Sequence, residues 1–589
     1  MPRRKYGLLL ALILLTACGR SRYRKVIVIG VDGMDPVFVE RHWADLPNLT
    51  HLRERGSYSH LETTDPPQSP VAWSTFITGL DPGEHGIFDF VHRDPVTQEP
   101  YLSTDKTVGP RFTLRLGPWE LPLSRSHVVS LRKGRAFWEY LSERGVPVRI
   151  VRIPANYPPS GAGQEIAGMG TPDLRGTQGT FSYYTDDPAD TSHEVAGGLI
   201  RRIELTSGHA ELRVEGPPNT LRRDHAYSSV QLTADVDPDR PYARLQVGDA
   251  AAILKEGEWS GWMPAEFPLL SRAVSVRGMF RVYAKQLHPR FEMYVSPVNV
   301  DPAEPALPIT GPASYARDLA ASAGRWSTLG IPEDTAALRQ GVFSLPEFLS
   351  QSRLVFKDEQ RLLDDSLQRF TGGLLFFYFS AVDQNSHVLW GKHDAELLEI
   401  YRGVDASIGE VMRREPEADL IVMSDHGFAA FDRAVHLNTF LISRGLGTKA
   451  HALGLNGLYL QDRHAEQEVR QQLLEFRDPA SGRRVITSVA KTNPSPENRS
   501  VAPDLIVGYA AGYRASWQTT LGEAPEGVLE DNDDAWIADH CIDPNEVPAV
   551  LFATRRIRAQ MPRLKDLPVS LLALYNVARP PQMTGNAVF

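Results

Sequence analysis

Cysteine is scarce: 589 residues hold only two, Cys18 and Cys541. A framework of disulfides is therefore excluded, and stability must come from packing or from bound metal. Excess positive charge is also missing. The formal net charge is −9, which gives no sign of the basic surface a nucleic-acid binder carries. No long hydrophobic run occurs either. The most apolar stretch, residues 8–15, is too short for a bilayer core of roughly 30 Å. Repeats and low-complexity tracts are absent. What remains is a globular composition, 42% hydrophobic and 23% charged, in a chain too long for one ordinary core. A large domain with an insertion, or several units, is expected.

The N-terminus reads as an export signal. Met1-Pro2-Arg3-Arg4-Lys5 is a positive region, residues 8–15 are apolar, and Leu15-Thr16-Ala17-Cys18 closes the segment with small residues. This resembles a bacterial lipoprotein signal, cleaved before a cysteine that is then lipidated. It implies a signal peptide at 1–17, an anchor at Cys18 and a short basic tether at 18–24. The protein is then expected outside the cytoplasm, attached to the membrane on the periplasmic face. Gly19, where aspartate would signal inner-membrane retention, favours the outer membrane. With Cys18 lipidated, Cys541 has no disulfide partner.

Further along, nearly continuous apolar runs at 26–31, 148–153, 374–380, 420–423, 505–507 and 549–552 have the character of strands buried on both faces. Helical stretches such as 358–370 and 464–476 lie between them. The alternation predicts an α/β fold with a mostly parallel central sheet. Between about 181 and 308 the pattern changes to short alternating strands (203–205, 210–214, 244–247) broken by turns such as "DVDPDRPY". This predicts a β-rich insertion at 181–308 dividing a catalytic domain into parts at 25–180 and 309–589.

Three strand ends carry ligand-type residues. Asp32 follows the first run in "VIVIGVDGMDP", Asp383 and His387 follow "LLFFYFSAV", and Asp425 and His426 follow "DLIVMS". His540, in "WIADHCIDP", precedes another apolar run. In open α/β sheets ligands bind beyond the carboxyl ends of the strands, so these groups are predicted to converge. Carboxylates mixed with imidazoles suit zinc first and manganese second, rather than calcium or magnesium. In "PPQSPVAWSTFITG", Ser69 reads as an N-cap with Pro70 at the first helical position. Nothing local decides whether it also attacks a substrate.

The motifs "VIVIGVDGMDP", "PPQSPVAWSTFITGLDPGEHGIFDF", "FSAVDQNSH", "MSDHGF" and "ADHCIDP" together resemble the alkaline phosphatase superfamily, in its type I phosphodiesterase/nucleotide pyrophosphatase branch. The resemblance implies an alkaline-phosphatase-like sheet flanked by helices and a site for two divalent ions. Asp383, His387 and His540 would hold one ion; Asp32, Asp425, His426 and the nucleophile, falling on Ser69, would hold the other. It implies hydrolysis of phosphate esters, diesters above all, through a phospho-enzyme. A small phosphate ester or an envelope component would be the substrate. Alternatives are phosphoryl or phosphoethanolamine transfer to an envelope acceptor, and a non-catalytic binding lipoprotein.

The chain departs from that branch where relatives carry asparagines that hold a phosphoryl oxygen. Those positions are Ala72 and Phe90. Val71 and Trp73 stand where the sulfatase signature needs proline and arginine, which excludes formylglycine chemistry. His85 and Asn438 are expected to be structural, Trp259 and Trp262 to pack in the insertion, and His436 is kept as a candidate substrate contact.

Overall fold

The structure is a computed structural model that describes residues 23–270 and 274–589. The signal segment, Cys18, and Arg20 and Arg22 of the tether lie outside the described residues. The central sheet has eight strands: β1 Lys25–Val31, β2 Ser57–Leu61, β3 Val148–Val151, β4 Gln164–Ile166, β5 Thr310–Gly311, β6 Gly373–Phe379, β7 Asp419–Met423 and β8 Ala549–Ala553. Their spatial order is β2-β8-β7-β1-β6-β3-β4-β5. The strands β7, β1, β6, β3 and β4 run parallel. β8 is antiparallel to β7 and to β2, and β5 is antiparallel to β4. The fold is α/β, as the alternation predicts.

Continuous apolar runs arise because both faces of this sheet are covered. In β1, Ile27, Ile29 and Val31 join one core, whereas Val26 and Val28 join the other. Each such side chain contributes about 1.5–3 kcal/mol when fully buried. The first core packs under α2 (Leu345–Gln368) and α4 (Asp394–Arg414). The second packs under α1 (Ser69–Thr78); α3 (Ala381–Leu389) follows β6 directly. Gly30 lets α1 approach β1: a Cβ there would lie 2.7 Å from the Trp73 ring and 2.8 Å from Phe376.

Two strand expectations are corrected. Residues 505–507 are a strand, Leu505–Tyr509, but it pairs antiparallel with Gly457–Leu460 and Ile486–Lys491 in a separate four-stranded sheet. Its apolar run is buried against a different core, a distinction that hydropathy alone does not encode. Residues 203–205 form no strand; the preceding Gly198–Arg202 takes that place. Between Phe181 and Val300 the chain builds sheets of five, four and three strands around a further core, while Phe181, Ile200, Tyr283 and Tyr294 of the five-stranded sheet join the first core.

Candidate active site

Backbone topology explains why distant residues meet. The parallel strands β1, β6 and β7 end at one edge of the sheet, so Asp32, the start of α3, and Asp425-His426 emerge together. The Asp32 amide continues the ladder by donating to Phe379 O at 3.1 Å. Because β8 is antiparallel, the chain entering it comes from the same edge and brings His540. On α3, Asp383 and His387 are four residues apart and share a helical face. Glycine at position 33 has φ +65, and a Cβ there would meet Phe428 at 2.4 Å. Its amide donates to Asp425 Oδ1 at 3.2 Å.

Ser69 is the first residue of α1, not its cap. Gln68 is the cap, with extended backbone, and its carbonyl accepts from Val71 N and Ala72 N. A serine already inside the first turn need not close on its own helix, so its hydroxyl is free to face outward. Ser69 Oγ lies 3.1 Å from His426 Nε2 and 3.4 Å from Asp32 Oδ1. The Gln68 side chain locks the turn by donating to Asp89 and Asn456 and accepting from Phe90 N.

All six predicted ligand residues and Ser69 are buried and adjacent. His426 Nε2 approaches Asp32 Oδ1 at 3.3 Å, Asp425 Oδ2 at 3.2 Å and Asp383 Oδ1 at 4.0 Å. Asp383 Oδ1 also faces His387 Nε2 at 3.6 Å and His540 Nε2 at 3.8 Å. The His426 and His540 rings stack with centroids 3.5 Å apart.

Each imidazole has its other nitrogen against a backbone carbonyl: His387 Nδ1 with Ala538 O at 2.8 Å, His540 Nδ1 with Pro67 O at 2.7 Å, and His426 Nδ1 with Gly427 O at 3.1 Å. A carbonyl only accepts, so Nδ1 carries the proton and each Nε2 presents a lone pair to the centre. Burial pushes the His387 pKa down to about 4. Burial, then the neighbouring His426, holds His540 well below its usual range. Burial and then the charge of Asp32 hold Asp383 and Asp425 well above theirs. Asp32 is lowered: burial opposes ionisation, and the Tyr378 and Trp73 donors are among the groups that outweigh it. Tyr378 OH and Trp73 Nε1 donate to Asp32 Oδ2 at 2.7 and 2.9 Å.

Lone pairs therefore face lone pairs across 3.2–4.0 Å. Asp383 Oδ1 and Asp425 Oδ2 are buried without hydrogen-bond partners. Such a cluster repels itself unless cations lie between, so the residues present fit divalent metal. Asp383-His387-His540 and Asp32-Asp383-His426 have the spacing for it. Asp539, His540 and Cys541 are also grouped closely enough. The Asp539 oxygens, however, are taken by the amides of His540 and Cys541 and by Trp536 Nε1.

Ser69, Asp383, His387 and His540 open into a cavity of about 400 Å³, whose other walls include Phe90, Trp517, Trp536, Arg514 and Glu333. Arg514, Trp536 and Glu333 were not singled out by the sequence: Arg514 and Glu333 sit off the quoted motifs, and Trp536, though it opens "WIADHCIDP", carries no ligand-type signal. Other expectations resolve plainly. His85 is internal, with Nε2 3.0 Å from Thr75 Oγ1. Asn438 ties down a loop through both Ala452 N and Ala452 O. His436 lies 2.9 Å from Ser516 Oγ, outside the wall of this cavity. Trp259 packs on Tyr283, centroids 4.9 Å apart, and Trp262 lies under Arg281, 4.4 Å from its guanidinium.

The chain matches the family model for type I phosphodiesterase/nucleotide pyrophosphatase over residues 26–198 and 292–541. It belongs to that family, whose members are phosphoester hydrolases of the alkaline phosphatase superfamily and typically depend on divalent metal. Among solved structures, it is similar to phosphonoacetate hydrolase from Sinorhizobium meliloti 1021 in complex with phosphonoacetate. That match has 12% identity and a TM-score of 0.47, covering 94% of this chain and 97% of that one. It is also similar to murine ectonucleotide pyrophosphatase/phosphodiesterase 5, with 11% identity and a TM-score of 0.41, covering 96% and 98%. No curated protein sequence matches it.

Proposed function

We propose that this phosphoester hydrolase cleaves phosphodiesters by serine nucleophilic attack at a site for two divalent ions, zinc first. Asp383, His387 and His540 would hold one ion, and Asp32, Asp425, His426 and Ser69 the other. Bound there, such ions lower the pKa of a coordinated hydroxyl and neutralise charge on a phosphoryl group. The observation that carries the reading is Ser69 Oγ set against His426 Nε2, beside a buried cluster in which Asp383 Oδ1 and Asp425 Oδ2 have no hydrogen-bond partner.

Ser69 does the covalent work. Its position in the first turn of α1 favours the alkoxide, because the helix N-terminus attracts negative charge. Oγ gives up its proton to solvent and attacks phosphorus, forming an O–P bond as the bond to one ester oxygen breaks; the departing alkoxide takes a proton back from solvent. Water then attacks the phosphoserine, releasing a phosphomonoester and restoring the hydroxyl. Pro70 offers no amide, so a non-bridging oxygen must find its donors elsewhere in the cavity.

Purified protein loaded with zinc is expected to hydrolyse bis(p-nitrophenyl) phosphate. Ser69→Ala is expected to abolish turnover while metal content stays. A Ser69→Ala protein turning over at the wild-type rate would remove Ser69 from the mechanism. The same reading holds the protein at the envelope through lipidated Cys18. Cys18→Ser should move it from the membrane to the soluble fraction.

A further inference from the structure

Two arginines stand at the cavity, and they differ in what they have left to give. Arg339 is consumed: Nε and Nη2 donate to the Asp534 carboxylate at 2.6–2.9 Å. Arg514 is not. It is 2% exposed, yet Nε and Nη2 are buried without a hydrogen-bond partner. Nε approaches Asp539 Oδ2 at 3.2 Å, but that carboxylate is already satisfied by two amides and an indole. Charge attraction holds the guanidinium in place, and its directed donors go unused. Buried donors left empty cost free energy, and native proteins keep few of them.

The Arg514 side chain is also part of the cavity wall. The Trp536 ring stacks on His387 at 3.6 Å. Trp517 meets Trp536 edge-on at 6.0 Å. The Arg514 guanidinium lies 4.1 Å from the Trp517 ring centre. All four side chains line the cavity that Ser69 opens into. An aromatic wall therefore leads from the metal-ligand side of the site to a fixed, planar cation.

We infer that Arg514 is the receptor for an oxyanion carried by the organic part of the substrate, apart from the phosphoryl group that reacts. The ligand class is a phosphoester or phosphonate bearing a second anionic group, a carboxylate or another phosphate, on its organic arm. The planar fork of arginine matches either. This subsite rests on the hydrolase reading above, which places the reacting phosphorus at Ser69.

The test is calorimetric binding to zinc-loaded protein freed of unbound ions, using three probes. Ethylphosphonate has no second anionic group, phosphonoacetate replaces its methyl with carboxylate, and methylenediphosphonate replaces it with a second phosphonate, standing for a phosphate. Wild type should bind at least one of the two probes that bear a second anionic group roughly tenfold or more tighter than ethylphosphonate, the size of one hydrogen bond to a charged group. Whichever shows the gap names the source of the oxyanion. Arg514→Met should close the gap to about one, and Arg514→Lys should leave it intermediate. Equal binding of all three probes by wild type overturns the subsite, as does Arg514→Met weakening every probe alike. A fall in bound zinc in Arg514→Met would likewise overturn it, by showing that Arg514 only supports Asp539 and His540. Hydrolysis of bis(p-nitrophenyl) phosphate in the same preparation separates the two readings. Turnover without a gap sinks the subsite alone, and a gap without turnover sinks the hydrolase reading alone.

Discussion

Trp73 and Tyr378 both donate to one oxygen of Asp32, the only acidic ligand held below its ordinary range. Side chains behind a ligand orient it and typically set ten- to a hundredfold in metal affinity or activity. Trp73→Phe should therefore weaken zinc binding about tenfold, read by competition with a chromogenic chelator, with Tyr378 keeping the rest. Asp89 gives a pH signature through the Gln68 turn that carries Ser69. Burial is the main cause raising its pKa to about 6, with the Gln68 side chain among the donors that oppose it. The folded state thus holds the proton more tightly than an unfolded chain does. Its contribution is full below about pH 4 and is lost as pH rises through about 6, by roughly 3 kcal/mol. Asp89→Asn should fall less in urea midpoint than wild type between pH 4 and 7. Equal slopes for the two proteins would contradict this. At this scale the ligands were legible because each stands beside an apolar strand or on its following helix. Arg514 was not, because its significance lies in donors left empty, a property of packing.

At the scale of elements, the site depends on how closely α1 lies on β1. Gly30 sets that distance, and Gly30→Ala drives a methyl group into Trp73 and Phe376. Overpacking of this kind costs about 1–3 kcal/mol. Here it should also lower zinc affinity, since the displaced indole is the one that holds Asp32. A Gly30→Ala protein with an unchanged urea midpoint and unchanged zinc binding would show that the contact relaxes freely. The sequence revealed where strands lie but not which sheet each joins. Leu505–Tyr509 has the same apolar character as β7, and only its partners tell them apart. Nor did serine-proline reveal the register of α1, because serine suits the cap and the first turn alike.

Across the whole molecule, the site gathers residues from position 32 to position 540, supplied by five separate segments of the chain. Ions bound only by the folded form add stability by mass action, about 2.7 kcal/mol at a hundredfold excess over Kd. Stripping with a chelator should lower the thermal midpoint by several degrees, and zinc should restore it. An identical midpoint with and without metal would count against resident ions. The last strand has a further effect on how the chain can be made. β8 is an interior strand, inserted between β2 near the start and β7. A ribosome that stops short of residue 549 leaves both neighbours with bare edges, open to pairing with other chains. Premature termination should yield aggregates or protease fragments, never a partly working enzyme, and a late frameshift is as damaging as an early one.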